Sequence, residues 1–185
     1  MLFSTEINTS GFTDPRVKNN LDLVNYVTQA FDNRWGYVWG TFGEILTPEL
    51  LDYKIAQYPV GVGGYAEFIR AHSLGNRTVD CIGLVKGYGW YNALSGAFDY
   101  QSGGVPDLGA DAMYRFCVSH GAEHGKPPAI PEIPGLILWK KGHTAVYTGG
   151  GYSIEAVGTM TGVVRNRIAD RGFAAWYRMP WFKYY

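Results

Sequence analysis

The chain has 185 residues, enough for one domain with a substantial core and too few for a second sizeable one. Its 16 basic side chains balance its 16 acidic ones, so bulk electrostatics favour neither nucleic acid nor an anionic membrane surface. Two cysteines allow at most one disulfide, which excludes a disulfide scaffold, and no stretch of about 18 apolar residues is present to span a membrane. Aromatic residues reach 16% and glycine 25 positions, a composition for tight turns and for rings that either face a polar substrate such as glycan or peptide or simply fill core and rim.

The N-terminal stretch, residues 1–20, has no apolar run, so neither a signal peptide nor an anchor is expected there. Residues 17–33 read as an amphipathic helix through Val17, Leu21, Val24, Val27 and Phe31. A glycine-punctuated aromatic loop follows over 35–40. Thr47 and Pro48 are a capping hydroxyl and a first-turn proline, predicting a helix that ends before Pro59, and a further short helix is expected over 65–73. Residues 101–109 read as a turn-rich connector, 110–120 as a helix stopped by Gly121, and 125–134, with four prolines, as an extended loop. From Leu136 the period changes to two. Residues 136–140, 143–148, 152–157, 163–168 and 175–179 read as about five antiparallel strands. Helices first and an antiparallel sheet second is an α+β order.

Asp80 and Cys81 sit where a helix should begin, with Ile82, Leu84, Val85 and Tyr88 supplying apolar surface behind them. A cysteine in a first helical turn gains from the dipole and from unpaired N–H groups, which predicts a lowered thiol pKa. His143 opens a strand, and Glu155 follows twelve positions later. If residues 149–151 form a three-residue hairpin loop, Glu155 opposes Ala145, and His143 and Glu155 become diagonal neighbours on one face, about 7–8 Å apart at the backbone. A two-residue loop would put them on opposite faces. Nucleophile, base and orienter are then all available.

Asp80-Cys81-Ile82-Gly83-Leu84-Val85 resembles the Asp-Cys-Ser-Gly-Leu-Val block of the NlpC family of papain-fold cell-wall peptidases. The run from Gly142 and His143 to Glu155 and Ala156 resembles that family's second block, and Tyr37-Val38-Trp39-Gly40 its Tyr-x-Trp-Gly block. The resemblance covers about residues 20–160. It implies one papain-like domain over 1–185, with Cys81 as nucleophile, His143 as base and Glu155 as orienter. It implies that Tyr37 lines the site and helps position substrate or oxyanion, that Asp80 caps the helix and binds the free amine of a stem peptide, and that Ile82 belongs to the substrate-binding set. The expected reaction is hydrolysis of the γ-D-glutamyl–diamino acid bond in peptidoglycan stem peptides at the bacterial cell wall, with no metal or organic cofactor. The alternatives are an amidase of the CHAP type, cutting the lactyl–L-Ala bond, and a catalytically silent cell-wall-binding or phage structural module.

Three departures mark this chain. Ile82 stands where the family has serine, Glu155 where it often has histidine, and a longer stretch separates Tyr37 from Asp80. That stretch suggests a helical insertion at about 41–78, able to wall the cleft or to thicken the scaffold. Without a signal peptide, the expected route to the wall is release as a phage lysin or membership of a longer exported chain. Cys117, His120 and His124 resemble half a zinc site, but Gly121 should break the helix between the histidines, so no metal is expected there. Cys81 and Cys117 are expected to remain unbridged thiols.

Overall fold

In chain order the elements are α1 (Asn20–Asp32), β1 (Gly36–Tyr37), β2 (Phe42–Ile45), α2 (Pro48–Gln57), α3 (Ala66–His72), β3 (Arg77–Val79), α4 (Gly83–Trp90), β4 (Tyr91–Asn92), β5 (Ala97–Phe98), α5 (Ala110–Ser119), β6 (His124–Gly125), β7 (Ile137–Lys140), β8 (His143–Gly149), β9 (Tyr152–Gly158), β10 (Gly162–Arg167) and β11 (Ala175–Tyr177). This computed structural model describes residues 4–185; the first three residues of the polar N-terminal stretch lie outside them. No described helix is long and apolar enough to cross a membrane.

The class is α+β. Six strands form an antiparallel sheet in the order β10-β9-β8-β7-β11-β6. The expected five become six because His124, which falls in no expected element, and Gly125, which opens the expected proline-rich loop, pair with Tyr177 and Trp176. Two residues are too few to display an alternation. One face of the sheet packs Ile137, Val146, Ile154 and Ala156 against Leu23, Tyr26 and Val27 of α1 and Leu84, Val85 and Tyr88 of α4. The other face carries Leu136, Leu138, Ala145, Tyr147, Phe173 and Trp176. In the N-terminal half β3 lies between β1, parallel to it, and β2, antiparallel. These short strands also escaped the sequence pattern.

Helix α1 begins at Asn20 rather than 17, because the Asn19 side chain accepts a hydrogen bond from the Asp22 N–H and caps it. The expected apolar face is also corrected. Leu23, Tyr26, Val27 and Ala30 are fully buried, whereas Val17, Leu21 and Phe31 are exposed. Both sets have helical spacing, and tertiary packing selects the one containing Tyr26, whose ring meets Trp35 edge-on at 5.4 Å. Helix α2 follows its expected boundaries, with the Thr47 hydroxyl accepting from the Leu50 N–H and Pro48 in the first turn.

Helix α4 crosses β2 at backbone contact. A Cβ at Gly83 would sit 2.0 Å from the Thr41 carbonyl oxygen, and one at Gly87 1.8 Å from that of Phe42. Glycine spaced one turn apart is what lets the helix following Cys81 lie this close to the strand. Gly87→Ala should therefore force α4 away from β2 and destabilise the protein by about 3 kcal/mol, the upper end for overpacking, since the obstacle is backbone. An unchanged urea midpoint and slope for this variant would show that the approach is not as close as described.

Candidate active site

Strand β3 delivers the chain to Asp80, which is buried and bonded on both carboxylate oxygens. Oδ1 accepts from the Gly83 N–H at 2.6 Å and Oδ2 from the Gly40 N–H at 2.8 Å, while the Asp80 carbonyl accepts from the Leu84 N–H at 3.1 Å. Regular helix geometry starts at Gly83, yet the capping interaction reaches back to Asp80, as the sequence suggests. Burial pushes the Asp80 carboxyl above its ordinary range, although Lys86 and both N–H groups pull the other way.

Cys81 follows, half-buried; it and the fully buried Cys117 are both free thiols. The expected lowering of its pKa is overturned. Burial pushes the thiol up to about 12, and Asp80 adds to the rise. The backbone N–H groups of Thr144, Ile82 and Cys81 lie toward the sulfur and favour its charged form, but they do not offset desolvation. Burial therefore favours the thiol form of the sulfur. The Thr144 contact also brings the start of β8 to Cys81, and Thr144 is the neighbour of His143.

The β8–β9 hairpin pairs Val146 with Ile154 and Tyr147 with Ser153, and one further step of this register sets Ala145 opposite Glu155. The expected three-residue loop is absent, because Gly149 pairs with Tyr152 and only Gly150 and Gly151 form the turn. The face assignment survives because the pairing slips by one residue between Tyr147 and Gly149, leaving Thr148 as a bulge. Glycines at 149, 150 and 151 accept the positive φ values of 93°, 60° and 78° that this geometry demands. His143 Nε2 consequently lies 2.6 Å from Glu155 Oε2.

Glu155 is completely buried. Burial alone would raise its pKa, but hydrogen bonds from His143, Arg171 and Asn166 outweigh this and hold the carboxyl at about 2. Because it is ionised and can only accept, the His143 Nε2 must carry a proton, and in the neutral imidazole the lone pair then lies on Nδ1. The turn ahead of His143 is pinned by Asp111, whose Oδ1 accepts from the Gly142 N–H at 2.7 Å and from Trp139 Nε1 at 2.9 Å. Neither Asp111, Asn166 nor Arg171 stood out in the sequence. Asn166 pairs with Ser153 across the β9–β10 hairpin, so extending the register one strand further would have found it.

Tyr37 pairs with Val79 across β1 and β3, and burial raises its phenol pKa, with Cys81 and Asp80 close enough to oppose its ionisation further. Ile82 and Asp80 line a cavity of about 440 Å³. Its far wall is α2, which supplies Tyr53, Lys54 and Gln57, and Lys86 and Asp107 form an ion pair at its margin. The stretch between Tyr37 and Asp80 thus walls a cavity that Asp80 and Ile82 also line. Larger hollows of about 520 and 720 Å³ lie elsewhere; Cys81 and His143 line none of the three, and the smaller cavity reaches the site through Asp80 and Ile82, the two neighbours of Cys81 in the chain. Cys117, His120 and His124 are not brought together: Cys117 is buried in the core, whereas His120 and His124 are exposed and bond back to the Phe116 and Ala122 carbonyls.

No family model matches the chain, and no curated protein does. Among solved structures it is similar to NlpC1 and NlpC2 from Trichomonas vaginalis, at 15% and 16% identity and a TM-score of 0.49 each, covering 98% and 97% of this chain. The chain spans about half the length of those two, 49% and 50%. It is also similar to the peptidoglycan hydrolase RipB from Mycobacterium tuberculosis, at 20% identity and a TM-score of 0.43, covering 93% of this chain and 73% of that one.

The depressed pKa of Glu155 carries a stability consequence. A carboxyl whose folded value lies near 2 and whose ordinary value is 4.5 stabilises the fold above pH 4.5, and this is lost as pH falls toward 2. The shift corresponds to about 3 kcal/mol. Glu155→Gln should be less stable than the parent by about this amount at pH 7, and the gap should close in acid. Urea titrations at a series of pH values read it; a gap that persists unchanged at pH 2 would contradict the assignment.

Proposed function

We propose that this chain is a cysteine peptidase of the NlpC type, acting on peptidoglycan stem peptides at the bacterial cell wall and cleaving the γ-D-glutamyl–diamino acid bond. The observation that carries the reading is the 2.6 Å contact between His143 Nε2 and an ionised, buried Glu155. It selects the imidazole tautomer with a free Nδ1 lone pair, the form a general base requires. The substrate assignment comes from the three sequence blocks around Tyr37, Cys81 and His143.

The reaction follows from the protonation states. Since burial keeps Cys81 as a thiol, its proton passes to His143 Nδ1 as the sulfur attacks the scissile carbonyl carbon. The carbonyl electron pair moves onto oxygen, where the N–H groups of Cys81 and Ile82, with Tyr37 nearby, stabilise the oxyanion. Collapse breaks the C–N bond, and the imidazolium protonates the departing amine. Water, giving its proton to His143, then attacks the thioester, releasing the acid and restoring the thiol. The cavity beside Asp80, with Lys54 in its α2 wall, suits a peptide bearing both amino and carboxylate groups. Ile82 provides no hydroxyl at the position of the family's serine, so a free substrate N-terminus is not a strict requirement.

Cys81→Ala, a small loss at a half-buried site, should fold normally and release no peptides from purified peptidoglycan. Mass spectrometry of the parent's digest should find new γ-D-glutamyl carboxyl ends. Intact stem peptides freed from muramic acid would instead indicate an amidase. Most of the activity surviving in folded Cys81→Ala would sink the cysteine-peptidase reading.

A further inference from the structure

Glu155 is bonded far more heavily than an orienter of one imidazole requires. Oε1 accepts from Arg171 Nε at 2.8 Å, Asn166 Nδ2 at 3.0 Å and Ser153 Oγ at 3.3 Å, and Oε2 accepts from His143 Nε2 at 2.6 Å and Arg171 Nη2 at 2.8 Å. One guanidinium therefore grips both carboxylate oxygens, fork on fork, while the carboxylate has no exposure to water. A buried carboxylate facing a neutral imidazole alone would be an uncompensated charge.

We propose that Arg171 is a positioning residue of this site: it keeps Glu155 a carboxylate, oriented to accept from His143 Nε2–H, and so secures the tautomer that receives the Cys81 proton. The inference rests on the reading of Cys81, His143 and Glu155 given above and extends it outward by one side chain.

The fold holds Arg171 from a third direction. It follows a 3-10 turn, Ile168–Asp170, which is separate from the strands carrying His143 and Glu155. Its N–H donates to the Ile168 carbonyl at 3.0 Å, and its carbonyl accepts from Lys140 Nζ at 2.7 Å. Lys140 is the residue paired with His143 in the β7–β8 ladder, so the backbone opposite the base also clamps the turn bearing the guanidinium. Phe173, two residues further on, lays its ring nearly parallel to the His143 ring, at 14° and 6.4 Å between centroids.

Removing the guanidinium leaves Glu155 two courses. If it takes up a proton, it can become the donor toward Nε2 and favour the wrong tautomer. If it stays charged, it holds His143 as an imidazolium that cannot act as a base. The charged or titratable groups touching Glu155 are His143 from β8 and Arg171; Ser153 from β9 and Asn166 from β10 are neutral. Both courses move the acid limb of activity to higher pH.

The test compares kcat, KM and pH profiles of the parent, Arg171→Met, Arg171→Lys, Glu155→Gln and the double variant Arg171→Met/Glu155→Gln on a purified stem-peptide fragment. Arg171→Met should lower kcat about 10- to 100-fold with KM changed less than about twofold, and raise the acid limb by about one pH unit. Arg171→Lys should recover part of the rate, since it restores charge without the fork. In the Glu155→Gln background the same arginine substitution should reduce kcat by no more than about threefold, because no carboxylate remains to be held. A folded Arg171→Met with the parent's kcat and acid limb overturns the proposal, as does an equal proportional loss in both backgrounds. Should Arg171→Met fail to fold, the double variant lacks the buried charge, and a further loss of about tenfold or more relative to Glu155→Gln is the overturning result. Activity retained in Cys81→Ala would remove the underlying mechanism instead; an inert Cys81→Ala beside an unaffected Arg171→Met removes this inference alone.

Discussion

A single buried carboxylate fastens the N-terminal half of the site together. Asp80 bonds the Gly40 N–H after β1 and the Gly83 N–H at the start of α4, and so joins the head of the helix to a segment forty residues before Asp80 itself. Tyr37, Cys81 and the cavity walled by α2 all take their positions from this knot. The close passage of α4 over β2 makes the same demand from the other side, since a helix admitted only by Gly83 and Gly87 has little freedom to find another cap. Desolvating Asp80 is unfavourable, and the two N–H bonds with the nearby Lys86 charge are what offset it.

Asp80 and Glu155 show how differently two buried carboxylates behave. Asp80 receives two backbone N–H groups and its pKa stays raised; Glu155 receives a bidentate guanidinium, an imidazole and an amide, and its pKa falls to about 2. The deciding difference is a cation in direct contact. The site therefore combines a thiol that burial holds toward its protonated form with a histidine whose Nε2 proton is held by an ionised carboxylate.

Much of this was legible in the residues. The switch from helical period to alternation at Leu136 announced an α+β order, and the Asp80 cap and the shared face of His143 and Glu155 followed from motif and register. Other features were hidden for physical reasons. The periodicity of α1 fitted two apolar stripes that share Val27, and only packing against Trp35 and α4 distinguishes Leu23 and Tyr26 from Leu21 and Phe31. The strand at His124 is shorter than one alternation. The thiol of Cys81 depends on how much protein covers it, which a helix-start motif does not reveal, and Arg171 reaches Glu155 from a turn with no fixed spacing to it.

The β8–β9 hairpin carries a rule of parity. A turn of two glycines alone would place His143 and Glu155 on opposite sides of the sheet, and the bulge at Thr148 restores them to one side. Two single-residue irregularities cancel. Any related chain that keeps the His143–Glu155 contact must have both or neither: a three-residue turn on a regular strand, or a two-residue turn with a bulge. Insertions and deletions between Tyr147 and Tyr152 should therefore be inherited in compensating pairs, so that the length of the segment and its hydrogen-bond ladder evolve as one character.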